Sequence, residues 1–301
     1  METVNNKIGM PVLGFGTLIP DKALTISATV DALEAGFRHF DCAERYQNEN
    51  EVGIALREGL AATGIRREDI FVTGKLWNIN HRPERVEAAL DASLERLGLD
   101  YLDAYLIHTP FAFQPGDDQD PRDENGNTIY DKDVTLLDTW KAMEKLVDIG
   151  KVKNIGLSDV SLELLSPIYE SARIKPTVVQ IESHPYLPET ELLNFCKESD
   201  IVFLAFAPLG HGIRPGLLED PVILKIATDI GKTPAQVLLG WAAQRGTALL
   251  TTPKTRARAN ENFDVDFLPQ YAFDEINRIE TRQRYNQVVK TGVPGFIARV
   301  D

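Results

Sequence analysis

Apolar residues along this chain gather in short runs, and between the runs they recur at the three-to-four spacing that gives a helix one buried face. The runs predict strands at Leu13–Gly16, Arg38–Asp41, Ile70–Lys75, Tyr101–His108, Val152–Ser158, Val178–Glu182, Ile201–Ala207 and Ala248–Thr252. Most lack clean alternation, as expected of parallel strands covered on both faces. The helical spacing predicts Leu24–Ala35, Asn48–Ala62, Pro83–Leu97, Val134–Ile149, Leu162–Ser171, Glu189–Ser199, Pro234–Gln244 and Arg256–Asn262. Thr233 before Pro234 reads as an N-cap with proline at the first helical position. Gly36, Gly98 and Gly150 stand where glycine ends a helix.

Strict strand–helix alternation leaves an open doubly wound sheet or a closed (β/α)8 barrel. An open dinucleotide-binding sheet should carry GxGxxG after its first strand. Here Gly14 and Gly16 are followed by Ile19, and Gly210 and Gly212 by Pro215. Asp41, Lys75, His108, Ser158, Gln180, Glu182, Phe206 and Lys254 all fall at or just past strand C-termini. A barrel brings those ends to one mouth, and an open sheet spreads them along an edge. The barrel is favoured.

Composition narrows the function. A net charge of −13 argues against general affinity for nucleic acid or anionic membranes. Cys42 and Cys196 lie far apart, which suggests neither a disulfide framework nor a zinc site. The longest apolar run, Ile201–Leu209, is too short to span a bilayer, and the first residues show no basic-then-apolar leader. A cytoplasmic enzyme is expected. Two loops stand out: an Asp- and Gly-rich insertion from Thr109 to Asp133, and Gly210–Asp220. The tail from Gln283 to Asp301 reads as a loop.

Tyr46, Lys75, Asp41 and His108 at one mouth form an acid–base set. A phenol near pKa 10 is a poor donor at neutral pH until a cation favours its ionised form. A lysine would do this, a carboxylate would hold the lysine charged, and a histidine would orient a carbonyl. Each residue alone has a bland reading: a packed tyrosine, a solvated lysine tip, a capping aspartate, a structural histidine. Their joint placement carries the inference.

Six segments resemble the aldo-keto reductases, in that family's order: MPVLGFGT (10–17), GFRHFDCA with YQNENEVG (36–43, 46–53), GKLWN (74–78), KVKNIGLS (151–158), VQIESHPYL (179–187) and TTPKT (251–255). The resemblance runs from about Met10 to Ile279. It implies one (β/α)8 TIM-barrel domain over residues 1–301, with an N-terminal hairpin and long loops at the C-terminal face. It implies an NADP(H)-dependent oxidoreductase that reduces an aldehyde or ketone to an alcohol, or the reverse, by hydride transfer from nicotinamide. Asp41, Tyr46, Lys75 and His108 become the catalytic tetrad, with Tyr46 as general acid or base.

For the cofactor, the resemblance implies Ser158, Asp159 and Gln180 at the carboxamide, Phe206 against the ring, and Pro208, Leu209 and Gly210 over the pyrophosphate. Asp159 replaces the usual Asn, and a carboxylate can accept from the carboxamide NH2 but cannot donate to its oxygen. Lys254, Thr255 and Arg258 match the set for the adenosine 2′-phosphate, with Asn262 near adenine. NADP(H) is therefore expected ahead of NAD(H), the alternative. Arg258 stands closer to Lys254 than in the commonest pattern. Leu18, Trp77, Thr109, Phe111 and Phe113 are the expected substrate walls, with Leu18 and Thr109 where the family often has aromatics.

The partner expected is a small carbonyl or alcohol, acting on a monomer without a metal, a membrane or nucleic acid. None of the five histidines shows HisXHis spacing. Two rival readings remain: an NADPH-binding regulatory or poorly catalytic barrel subunit, and a Schiff-base aldolase using Lys75.

Overall fold

In the computed structural model, which describes residues 7–287, eight parallel strands close in sequence order into a barrel. They are β1 (Leu13–Gly16), β2 (His39–Asp41), β3 (Phe71–Leu76), β4 (Leu102–Ile107), β5 (Val152–Ser158), β6 (Val178–Glu182), β7 (Val202–Phe206) and β8 (Ala248–Thr251). The pairing β1 to β8 closes the ring, with Leu13 opposite Leu249. Ten helices are described: α1 (Lys22–Ala35), α2 (Glu49–Thr63), α3 (Pro83–Leu97), α4 (Leu136–Asp148), α5 (Leu162–Ser171), α6 (Thr190–Glu198), α7 (Pro221–Ile230), α8 (Pro234–Gln244), α9 (Arg256–Phe263) and α10 (Gln270–Asn277). None of them is long and apolar enough to cross a membrane.

Strand parity builds the two cores and aims the site. Phe71, Ala104, Leu106, Val178, Val202, Leu204, Ala248 and Leu250 fill the barrel, with Met10 against them. Their alternate neighbours, such as Phe40, Val72, Tyr105, Ile107, Val179 and Phe203, pack outward under the helices. Since side chains alternate along a strand, residues in step with the interior set also point inward. Lys75 is in step with Phe71, His108 with Leu106, and Gln180 and Glu182 with Val178. Gly14 permits this crowding on β2: a Cβ there would lie 2.5 Å from the His39 ring.

Helix ends follow local chemistry. Thr233 and Gln236 form a reciprocal capping box before α8. Gly36 and Gly98 end α1 and α3 in the left-handed region. The expected N-terminal hairpin falls partly outside the described residues; the first described stretch, 7–12, runs as turn and coil into β1, and Val12 O accepts from Leu249 N. Two helices are added, α7 and α10. The insertion is folded, with antiparallel bridges Phe113–Tyr130 and Arg122–Thr128. Most of the tail read as a loop lies outside the described residues; its first part, 283–287, is coil apart from a bridge at Asn286.

Candidate active site

Asp41 ends β2, Lys75 stands one residue from the end of β3, and His108 follows β4. Tyr46 ends the short 3-10 turn Glu44–Tyr46, one turn beyond Asp41. Asn48 holds this entry loop, donating to Thr17 O at 2.7 Å and Ile19 O at 3.1 Å. The Lys75 ammonium makes three contacts: Asp41 Oδ2 at 2.5 Å, Cys42 O at 3.1 Å and the Tyr46 hydroxyl at 3.2 Å. Lys75 and Asp41 are 0% and 2% exposed, so solvent screens their attraction little. The His108 ring stands edge-on to Tyr46, centroids 5.7 Å apart, and to Trp77 at 5.1 Å. The four residues expected to work together are therefore together.

Burial and charge set the protonation states. Burial alone would lower the Lys75 ammonium, but Asp41 and Tyr46 outweigh it and hold the group above its ordinary value. Burial pushes the Tyr46 phenol up to about 12, and Lys75 offsets only part of that rise. The sequence argument expected a phenol made more acidic overall; desolvation reverses the net direction. Burial, then the Lys75 and Arg45 charges, hold His108 well below the usual imidazole range. It is neutral, and its Nδ1 is buried with no partner among the described residues.

The expected cofactor residues divide into three groups. Ser158 and Asp159 lie at the end of β5, both buried, and Asp159 sits in the left-handed region at φ 52°. Asp159 Oδ1 is buried without a partner among the described residues, and desolvation holds this carboxyl well above its usual range. Burial therefore favours the protonated form of this carboxyl, and a protonated carboxyl can donate. Sequence reasoning had treated it only as an acceptor. Gln180 Nε2 donates to Asp41 Oδ1 at 2.7 Å. Asp41 is thus held through both oxygens.

The second group is the crossing over the mouth. Phe206 is half-buried at the end of β7, its centroid 6.2 Å from that of His211. Pro208, Leu209 and Gly210 follow, and Gly210 takes a positive φ of 63°. A Cβ at Gly210 would lie 3.0 Å from the Tyr285 ring. Tyr285 and Asn286 are fixed by Glu182, whose two oxygens accept their backbone N–H groups at 2.7 and 2.8 Å. Glu182, inward-facing on β6, anchors the end of the described chain over this crossing, a role that sequence reading missed.

The third group surrounds the start of α9. Thr255 caps that helix, accepting from Arg258 N at 3.3 Å. Lys254 and Arg258 are exposed and form no ion pair among the described residues, whereas the intervening Arg256 turns to Asp31 and Glu34 on α1. Asn262 is buried one turn on.

The expected substrate walls separate by exposure. Leu18 is 44% exposed and Phe111 half-buried. Thr109 is fully buried, its hydroxyl donating to Asn78 Oδ1 at 2.8 Å. Phe113 is buried behind Trp77, centroids 5.9 Å apart. Trp77 donates through Nε1 to Gln119 O at 2.7 Å, and Arg45 lies over its ring at 5.4 Å. Arg45 also pairs with Asp120, and Gln47 donates to Gln119 at 2.9 Å. The insertion is therefore stitched to the loop that carries Tyr46. Complementary charges at Arg45 and Asp120 were the only hint of this in the sequence. Among the described residues no group of three or more His, Cys, Asp or Glu is placed to hold a metal ion.

The sequence matches the aldo/keto reductase family over residues 9–281. It is 44% identical to estradiol 17 beta-dehydrogenase 5 of Mus musculus over 269 residues, 85% of this chain and 83% of that protein. It is 42% identical to dihydrodiol dehydrogenase 3 of Bos taurus over 296 residues, 93% of this chain and 91% of that one. Its structure superposes on the aldose reductase of Schistosoma japonicum with a TM-score of 0.91 at 41% identity, covering 97% of each chain.

Proposed function

Because the chain belongs to the aldo/keto reductase family, and is thus an oxidoreductase, we propose that its barrel mouth reduces an aldehyde or ketone with NADP(H), Tyr46 acting as general acid. The observation that carries this reading is the buried relay Asp41–Lys75–Tyr46, with contacts of 2.5 and 3.2 Å. Bound at the mouth, NADPH would supply a hydride to the carbonyl carbon. The chain's own residues supply the proton and the geometry.

As negative charge develops on the carbonyl oxygen, Tyr46 gives it the phenolic proton. Even raised by burial, a phenol remains a stronger acid than an alcohol, so proton transfer to the developing alkoxide is downhill. Lys75 donates to the oxygen left behind, and Asp41 keeps Lys75 charged and aimed. Gln180 fixes the other oxygen of Asp41, leaving its own Oε1 for a ligand amide. Neutral His108 retains one ring N–H to orient the carbonyl oxygen.

The residues fit a phosphorylated dinucleotide. Asp159 offers a buried oxygen without a partner among the described residues, and in its protonated form, which burial favours, it would donate to a carboxamide oxygen beside Ser158. Phe206 offers a half-buried ring face. Lys254 and Arg258, without carboxylate partners among the described residues, would hold a 2′-phosphate at the Thr255-capped start of α9. Leu18, Trp77 and Phe111 would contact substrate, while Phe113 packs against Trp77 and Thr109 holds the neighbouring Asn78.

The Schiff-base alternative is disfavoured. A fully buried ammonium ion-paired to Asp41 is not the free amine that such a nucleophile requires. The regulatory-subunit alternative is decided by assay. With a panel of aldehydes, ketones, sugars and hydroxy compounds, at least one carbonyl should consume NADPH faster than NADH. A chain that binds NADPH but turns over none of them is not the enzyme proposed.

A further inference from the structure

Outside the mouth, a concavity of about 440 Å³ opens on the outer wall of the barrel, between α6, the end of α8 and α10. Three cations line it: Lys197, Arg245 and Arg282. Among the described residues none of them has a carboxylate partner. Arg245 donates to Ser183 Oγ at 3.3 Å and to Pro188 O, and Arg282 donates to Ile279 O and Thr281 O at 2.6 and 2.8 Å. Neighbouring lysines behave differently: Lys225 on α7 pairs with Asp229, and Lys232 before α8 pairs with Asp266. In a chain of net charge −13, three unpaired cations in one concavity are not explained by a surplus of positive charge.

The surroundings suit an ion carried on an apolar body. Leu193, Phe273 and Ile276 join Pro185 and Pro188 in the lining. The Arg245 guanidinium lies over the Trp241 ring at 4.4 Å, which fixes its plane while leaving N–H groups for a ligand. Trp241 is itself held by Asn277, accepting from Nε1 at 2.9 Å, so the floor is rigid.

We propose that this outer-wall concavity is a second ligand site, distinct from the barrel mouth, which takes a small organic anion with an apolar body, such as an aryl carboxylate or sulfonate. The anionic head lies between Lys197, Arg245 and Arg282, and the apolar body lies against Phe273, Ile276 and Leu193. Protonation supports this geometry. Burial pushes Arg245 down to about 10, and burial, then the Arg245 charge, lower Lys197. A bound anion relieves the repulsion between them.

The test is a calorimetric titration of the NADPH-saturated protein with 2-naphthoate and, separately, with neutral 2-naphthamide. Saturable naphthoate binding is expected, weakened about tenfold or more in the double variant Lys197→Glu/Arg282→Glu, with NADPH affinity unchanged. Both residues are exposed; should the double variant fold poorly, Lys197→Gln should still weaken naphthoate by about threefold or more. Naphthamide should bind more weakly than naphthoate to the parent protein and be indifferent to the substitutions. Absence of saturable naphthoate binding up to about 20 mM overturns the proposal. So does unchanged naphthoate affinity in the variants, since that places the ligand at the barrel mouth, or equal affinity for the amide.

Discussion

The Asp41–Lys75 pair allows stability and catalysis to be separated. In Lys75→Met the side chain keeps its length and loses its charge. Asp41, 2% exposed, then keeps, among the described residues, the Gln180 amide at 2.7 Å. Leaving one member of a buried pair uncompensated costs about 3–5 kcal/mol. For a chain of this size that is a drop in Tm on the order of 10 °C. The double variant Asp41→Asn/Lys75→Met removes both charges and restores most of that stability, to within about 2 kcal/mol of the parent. It does not restore turnover, because Tyr46 still lacks the ammonium 3.2 Å from its oxygen. Both variants should lose about 10²–10⁴ in kcat. Thermal melts and NADPH-oxidation rates on the four proteins of the cycle decide it. A Lys75→Met protein as stable as the parent would show that the pair is not electrostatically buried. Recovery of activity in the double variant would refute the proton-relay argument.

Two further predictions concern the cofactor. Lys254→Ala should weaken NADPH by roughly tenfold or more through loss of a charge-assisted phosphate contact and leave NADH little changed; equal losses for both contradict the 2′-phosphate assignment. Asp159 makes a pH prediction whose sign follows from its raised value in the fold. At low pH the carboxyl is protonated folded or unfolded and costs nothing. As pH rises above the unfolded value of about 3.9, the wild type loses stability until the folded group also ionises. Asp159→Asn, tolerated at a left-handed backbone position, should therefore gain stability relative to wild type between acid and alkaline pH. It should also hold NADPH at alkaline pH where wild type releases it. Identical denaturant midpoints for the two proteins across pH contradict a buried neutral acid.

Much of this molecule was legible in its sequence because strand parity and strand ends are local. Asp41, Lys75 and His108 each stand an even number of residues beyond an inward-facing position, so closing the barrel brings them together. Helix α7 was missed although Asp220 and Pro221 carry the same cap and proline signals that marked α8, and Gly231 the terminal glycine that marked α1 and α3. Its dense apolar residues obscured the period. Helix α10 has no side-chain cap to announce it. The Gln180–Asp41 bond joins residues 139 apart in sequence, and the Arg45–Asp120 pair joins residues 75 apart; neither has a local signal. The protonation of Tyr46 and Asp159 was misjudged for one reason. Residue type gives the charges nearby, whereas desolvation depends on burial, which exists only in the fold.

The most direct measurement is a single-turnover reduction with Tyr46→Phe, following NADPH fluorescence during binding and then during hydride transfer. The substitution removes one oxygen and leaves the Lys75–Asp41 contact in place. NADPH affinity should match the parent, while carbonyl reduction slows by about 10²–10⁴. Hydride transfer at the parental rate would mean that the proton comes from another group, and that the relay through Lys75 has no part in the reaction.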